Sequence, residues 1–347
     1  MKYITGKISV WLLAISCWLL AGCSSDDTGE QADGRLLRIV AYTADYQHEG
    51  TMRRAVADGY SVFTPDRDVS VGVFMIPNGA TTAEAKYLRY SNNYWHSQAA
   101  VAVNTNYNIF GFMPKLEQME PSITKNGSNV SLTLANIKTV TEYDVCFITG
   151  VKDQHLSGDL VQGSFSYVGK DDNNDILMLM DHLYGSLRFT MKMGVDYAAL
   201  RTIKLKSMTL QAPKATATAT IVLTPNNTGE SPIQDITFST AGTSCSATFF
   251  SDTAGQELST SPYNCVATCY FAPAVADNLT LITTYDVYDT KGNKIRENCE
   301  ATNKLPDLEA DLEAARGQQV TINMTVSPTY LYVLSDPDLD NPTITVN

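Results

Sequence analysis

The sequence predicts an all-β protein, two β-sandwich domains in tandem. Apolar residues recur with a period of two along many short segments, and turn residues punctuate the chain at roughly ten-residue spacing. Charged residues make up only 18% of the chain, against about 25% in an average soluble protein. Thr, Tyr, Asn and Ser fill the solvated positions instead, which suits the outer faces of sheets.

Val69 to Met75 sets Val69, Val71 and Val73 against Ser70, Gly72 and Phe74, and Ala215 to Leu223 alternates Ala with Thr before an apolar end. Both read as strands. The same reasoning predicts strands at 36–44, 99–103, 107–113, 129–134, 143–149, 163–168, 185–193, 202–211, 235–238, 245–250, 265–271, 279–287, 318–326 and 329–334. Turns fall at Pro77-Asn78-Gly79, Lys125-Asn126-Gly127, Pro225 to Gly229 and Asp289 to Asn293, where Gly, Asn and Pro supply the backbone angles that turns need. One connector helix is expected at Pro306–Ala315, with Gly317 just past its end. Gly169 to Asp175 is a polar run between strand patterns, and it predicts domains at 35–170 and 171–347, each of ordinary size.

At 347 residues and 44% hydrophobic composition, the chain can bury a core in each domain. Its formal net charge is −12 and it has no cluster of Lys and Arg, which excludes nucleic acid as a partner. Lys2 and Lys7 precede an apolar run, Ile8 to Leu20, that closes on Leu19-Leu20-Ala21-Gly22-Cys23. The run is short of the ~20 residues that span a bilayer and reads as a signal peptide over 1–22. LLAGC resembles the lipobox of bacterial lipoproteins, in which the cysteine becomes the lipidated first residue, here Cys23. Residues 23–34 are a polar tether that cannot bury a core. Its Ser24-Ser25-Asp26-Asp27 is similar to the surface-export signal of Bacteroidales lipoproteins.

No motif for chemistry stands out. The sequence has no Gly-x-Gly-x-x-Gly, P-loop, His-Glu-x-x-His or Gly-x-Ser-x-Gly, so neither an enzyme nor a cofactor is expected. Cys245, Cys265, Cys269 and Cys299 leave one or two disulfides open in an oxidising compartment. A zinc site is disfavoured, because Cys265-x-x-x-Cys269 lacks a second close pair and His48, His96, His155 and His182 are scattered singly. Each histidine reads as a surface or core residue. Asp336 to Asn341 has the acidic spacing of a calcium loop without its glycine or terminal Glu, and a plain turn is expected. Asp252-Thr253-Ala254 resembles a Bacteroidales O-glycosylation signal.

Several segments, taken in order, resemble the Bacteroidales fimbrillin family, subunits of type V pili. They are Asp68 to Phe74, a Tyr-rich stretch reaching Trp95, Tyr107 to Pro114, Asp181-His182-Leu183-Tyr184-Gly185-Ser186-Leu187-Arg188-Phe189, Arg316-Gly317 with Val320 to Val326, and Thr329 to Leu334. The resemblance implies transthyretin-like sandwiches and a surface lipoprotein anchored in the outer membrane through its lipid. It further implies an Arg-directed protease that removes an N-terminal strand, after which another pilus subunit's C-terminal strand fills the groove. The removable strand would be Leu36 to Asp45, and the cut would follow Arg54, with Arg53, Arg38 and Arg35 behind it. The donor strand would comprise Tyr330, Leu331, Tyr332, Val333 and Leu334, with or without Thr343 to Val346, within a terminal segment 329–347. Pro328, Pro337 and Pro342 interrupt that tail, so stalk, tip and anchor roles all remain open. A glycan-binding surface lipoprotein is the alternative, given 18 tyrosines, although Trp95 reads as a core residue.

Overall fold

The computed structural model describes residues 35–48, 60–63, 68–91, 94–261, 263–264, 268–305, 316–330 and 337–346. Nearly all of them are strands or the turns between strands, as the period-two pattern predicts. The first strands are β1 (Arg38–Ala44), β2 (Gln47–His48), β3 (Tyr60–Val62), β4 (Val69–Pro77), β5 (Glu84–Ser91), β6 (Tyr94–Ser97) and β7 (Asn106–Met113). Next come β8 (Glu120–Asn126), β9 (Asn129–Lys138), β10 (Val140–Thr141), β11 (Cys146–Asp153), β12 (Ser166–Val168), β13 (Asp175–His182) and β14 (Gly185–Met193). A one-turn helix, α1 (Val195–Ala198), leads to β15 (Arg201–Ala212), β16 (Thr216–Leu223), β17 (Ile233–Ala241), β18 (Cys245–Glu257) and β19 (Tyr263–Asn264). The last strands are β20 (Cys269–Phe271), β21 (Thr280–Asp289), β22 (Lys294–Lys304), β23 (Gln318–Tyr330) and β24 (Pro337–Val346), with a 3-10 helix at Pro273–Asn278. The helix expected at 306–315 lies outside the described residues.

Four sheets result. The largest runs β3-β1-β13-β11-β7-β4-β5-β6, with β12 added on β7. The second runs β10-β20-β14-β23-β2, with β19 on β14 and β24 on β23. Two four-stranded sheets, β18-β15-β21-β22 and β17-β16-β9-β8, complete the fold. Buried residues from all four sheets form one contiguous hydrophobic cluster.

Burial explains the pairing of β13. Ile176, Met178 and Met180 are buried on one face of β13, and on the other Leu179 is buried between half-buried Leu177 and Asp181, so the middle of the strand is covered on both faces. Such a strand needs a partner on each edge. β11 pairs with it antiparallel, and β1 lies parallel along the other edge, from Arg38 opposite Asp175 to Thr43 opposite Met180. The following strand repeats the arrangement, since β23 lies parallel to β14 from Gln319 opposite Ser186 to Val326 opposite Met193.

β13 therefore belongs to the first sheet, and the polar run 169–175, expected as a domain boundary, is a loop between two strands of that sheet. It is pinned from inside by Asn174, which is fully buried. The Asn174 side-chain oxygen accepts from the Tyr167 hydroxyl at 2.7 Å and from the Lys170 N–H at 2.9 Å, and its amide donates back to the Lys170 carbonyl at 2.9 Å. A buried amide whose oxygen and nitrogen both find partners holds the loop in place. The chain leaves the first sheet at Leu183 and Tyr184, both without exposed surface. The two halves are also joined elsewhere, because β9 pairs with β16 along Val130 to Lys138.

Close backbone approach sets the centre of the first sheet. A Cβ on Gly111 of β7 would lie 2.3 Å from the Gly72 carbonyl oxygen of β4, and one on Gly72 would lie 2.5 Å from the Phe112 ring. Neither site has room for a side chain. Two expectations are corrected at the margins. Residues 99–103 form only an isolated bridge, Ala100 with Leu36, and Asp338 and Asp340 belong to β24 rather than to a turn or calcium loop.

Leu37, Ile39 and Ala41 of the N-terminal strand are 0%, 6% and 1% exposed, so its core face is the odd-numbered one. Burying Leu37 and Ile39 contributes about 3–6 kcal/mol at roughly 1.5–3 kcal/mol each. A chain beginning at Ala55 is expected to melt well below one beginning at Arg35. Equal melting temperatures for the two monomers would show that β1 is dispensable.

Candidate functional site

The features that the sequence assigns to function are spread along the two chain ends. Cys23, Arg53, Arg54, Leu331, Tyr332, Val333 and Leu334 lie outside the described residues, as does Cys265. Arg35 and Arg38 lie at the start of the N-terminal strand. Val101 donates its N–H to the Arg35 carbonyl at 3.0 Å, and the Arg38 guanidinium pairs with Asp175 at 2.5 Å. Arg38 begins the ladder of β1, whereas Arg35 lies in a turn before it and is exposed. Tyr330 is the last residue of β23 and pairs with Pro337 of β24, whose Thr343–Val346 segment pairs back on Met324 to Ser327. The tail expected to leave the molecule is thus folded onto its own sheet.

Between these ends the structure brings together residues that the sequence leaves apart. β1 and β2 are separated by Asp45 and Tyr46, and over that step the chain passes from the first sheet to the second, where β2 lies parallel to β23. Beneath the step is His182, the last residue of β13 and 3% exposed. Its Nδ1 lies 2.7 Å from Asp144 Oδ2, and its Nε2 lies 2.5 Å from the Ala44 carbonyl oxygen. The Tyr46 ring stacks on the imidazole with centroids 3.8 Å apart, and its hydroxyl donates to Asp144 Oδ1 at 2.8 Å. Cys146, paired directly across from His182 in the ladder, places Sγ 3.6 Å from the same Nδ1.

Both ring nitrogens of His182 face oxygen acceptors, which only the doubly protonated imidazolium can satisfy. Burial pushes the His182 pKa down, but the charge and hydrogen bond of Asp144, the charge of Asp181 and the Ala44 carbonyl outweigh it, and the net direction is upward. Burial, followed by the Asp144 charge, raises the Tyr46 phenol and the Cys146 thiol well above their ordinary ranges, so both stay protonated. The group is therefore an ion pair capped by a phenol, with a thiol at its side. It is not a nucleophilic relay. Such a relay needs the nucleophile and the carboxylate on different ring nitrogens, whereas here Cys146 and Asp144 share Nδ1 and Nε2 is taken by main chain.

The second sheet is tied to the same point. Arg316 Nη1 lies 2.9 Å from Asp181 Oδ2 and donates to the His182 carbonyl at 2.8 Å, with its guanidinium over the Phe147 ring. Gly317, at φ +71°, donates its N–H to the Tyr184 carbonyl at 2.9 Å. His182 was expected to be an isolated residue, and the available signal was position: a charged pair, Asp181-His182, ends the apolar run of β13. What sequence spacing cannot give is the β11–β13 register that sets Asp144 and Cys146 beside it.

The remaining expectations fall elsewhere. Cys245 and Cys299 carry free thiols. Trp95 is half-buried and meets Tyr90 edge-on at 5.2 Å, packed against the core as expected and not offered as a sugar platform. Thr253 is exposed in a stretch where Asp252 accepts the Ala254 N–H at 2.9 Å.

Replacing Tyr46 by Ala removes the stack and one carboxylate hydrogen bond, which together contribute on the order of 1–3 kcal/mol. Amide hydrogen exchange across β1 is expected to accelerate in Tyr46→Ala, with exchange in β16 and β21 unchanged. Uniform acceleration would mean that Tyr46 stabilises the whole fold rather than the N-terminal strand.

No family model and no curated protein matches the chain. Among solved structures it is similar to a candidate cell adhesion protein from Bacteroides fragilis, at 9% identity and TM-score 0.41, over 90% of this chain and 96% of that one. A fimbrial protein from Bacteroides vulgatus is similar at 11% identity and TM-score 0.39, over 82% and 92%. The fimbrial anchor protein Mfa2 from Porphyromonas gingivalis is similar at 11% identity and TM-score 0.27, over 89% and 95%. Scores this low do not assign a role, and the residues of the chain itself must carry one.

Proposed function

We propose that this protein is a fimbrillin-like subunit of a cell-surface pilus, lipidated at Cys23 and assembled by proteolytic strand removal and donor-strand exchange. One observation carries the reading: the N-terminal strand is both a deep part of the core and close to a chain end. β1 lies between β13 and β3, its buried side chains fill the first sheet, and residues 49–59, which contain Arg53 and Arg54, connect it to the rest. A cut after Arg54 would free β1 together with the two-residue β2, which pairs with β23, and would leave β3 without its partner. The edge of β13 would then present unpaired N–H and C=O groups above an apolar groove, which is the demand that β-augmentation meets.

The C-terminal end supports the donor role. In the monomer β24 pairs with β23, and Ile344 is buried. Pro337 and Pro342 supply no N–H to that ladder. Exchange would give up the β23–β24 ladder and the Asn303 hydrogen bond to the Ile344 carbonyl in return for a neighbour's groove. Within the donor, Tyr330, Tyr332 and Leu334 would share one face and Leu331 and Val333 the other. A one-residue slip exchanges the faces, so register is specified.

Cys23→Ala is expected to abolish membrane attachment and later processing, read by fractionation, and a variant still found with the outer membrane would refute lipidation. Arg53→Ala with Arg54→Ala is expected to accumulate as a longer, lipidated monomer. Ladders on unheated gels should be lost in that variant, and wild-type ladders from it would overturn the cleavage step. A chain lacking residues 329–347 should accept a strand without donating one, and mixed with wild type it should shorten the fibres. Fibres of normal length would exclude the tail as donor.

A further inference from the structure

We propose that Asp144, Cys146 and His182 form a binding site for one divalent zinc ion, placed where the N-terminal strand crosses between the two sheets. Three donor atoms of the types that zinc takes, a carboxylate oxygen, a thiol sulfur and an imidazole nitrogen, all lie within 4.8 Å of one another. They converge because of register. Cys146 is the direct cross-strand partner of His182, so the two side chains share a face, and Asp144 stands two residues earlier along the same segment and reaches the same ring nitrogen.

The spacing fits a metal better than it fits a relay. With Zn–S near ~2.3 Å and Zn–N near ~2.0 Å, the S···N edge of a tetrahedral site is about 3.5 Å. Cys146 Sγ and His182 Nδ1 are 3.6 Å apart. The corresponding N···O edge is about 3.3 Å, longer than the 2.7 Å hydrogen bond between His182 Nδ1 and Asp144 Oδ2, so the carboxylate would move outward by roughly half an ångström. Asp144 has room to do so, being 19% exposed where His182 is 4%.

The surroundings already supply what a ligating histidine needs. Metal-bound imidazoles usually donate the other ring N–H to a carbonyl or carboxylate, which fixes ring and tautomer. Here Nε2 faces the Ala44 carbonyl, leaving Nδ1 for the ion, and the Tyr46 hydroxyl holds the second oxygen of Asp144. Charge also balances. Zinc would displace one proton from Nδ1 and one from the Cys146 thiol, breaking the Asp144–His182 hydrogen bond and forming Zn–N, Zn–S and Zn–O bonds. The bound cluster, two negative ligands with a doubly positive ion, is as neutral as the protonated trio it replaces, so filling the site buries no net charge. A solvent molecule entering past Asp144 would complete four-coordination.

The test uses cobalt(II) as a spectroscopic probe on the whole mature chain, stripped with a chelator and kept reduced. One equivalent is expected to bind with a thiolate-to-cobalt charge-transfer band and the intense visible absorption of a four-coordinate ion, both abolished by equimolar zinc. Cys146→Ser should remove the charge-transfer band, and Asp144→Asn or His182→Asn should weaken binding at least tenfold. Cys245→Ser and Cys299→Ser should leave both signals intact. If Cys146→Ser does not fold, wild-type melting decides, since zinc should raise the melting temperature and a chelator should reverse the rise. No stoichiometric cobalt binding by wild type, no effect of zinc on melting, or a charge-transfer band that follows Cys245 or Cys299 would each overturn the proposal.

Discussion

A strand whose central residues are buried on both faces cannot stand at the edge of a sheet. Its side chains need cover above and below, and each N–H and C=O that it turns away from water needs a partner. β13 is such a strand, and much of the architecture answers to it. β11 takes one edge and the N-terminal strand takes the other, arriving from far away in sequence and lying parallel because no short hairpin can reach that edge. The neighbouring β14 buries Leu187, Phe189 and Met191 on one face and carries Arg188 and Lys192 on the other, and β23 lies parallel along its edge. The two ends of the chain are thus called in to satisfy two consecutive strands in its middle.

The place where those strands meet is correspondingly dense in polar contacts. Asp144, His182, Tyr46 and Arg316 come from four separate segments: His182 and Asp144 pair within the first sheet, Tyr46 ties the exit of the N-terminal strand to that pair, and Arg316 ties the approach to β23 to Asp181 and His182. Burial of an imidazolium would be costly alone, and here it is compensated by a carboxylate, a carbonyl and an aromatic face. Removal of one partner leaves a buried charge unpaired, which is typically more destabilising than loss of the whole group. The joint therefore senses whether the N-terminal strand is present, since Ala44 and Tyr46 belong to that strand's exit.

The alternating strands were legible in the sequence because one of their faces meets solvent. Thr216, Thr218 and Thr220 of β16 are half-exposed while Ala217, Ala219 and Ile221 are buried, and the pattern shows through directly. β13 was not legible for the opposite reason. Its central run, Ile176 to Met180, is apolar at every position although burial alternates along most of it, and the polar loop before it carries a composition like that of a linker while Asn174 is buried within it. β22 was missed because Lys294 to Lys304 is an edge strand largely open to water, and of β24 only Thr343 to Val346 was legible, because Pro337 and Pro342 argue against a strand around them. The trio at the joint was beyond reach of spacing altogether. Two of its members are separated by 36 residues, and only the β11–β13 register makes them neighbours.

The parallel docking of the two chain ends also bears on force. A strand pulled along its own axis against a parallel neighbour is loaded in shear, and the pairs of its ladder resist together instead of opening one after another. The N-terminal strand is registered with β13 from Arg38 to Thr43, and β23 with β14 from Gln319 to Val326. Between those ladders the load passes through Leu183 and Tyr184, a link too short and too buried to stretch. Tension applied at the start of β1 and the end of β23 would load these two ladders in series through that link.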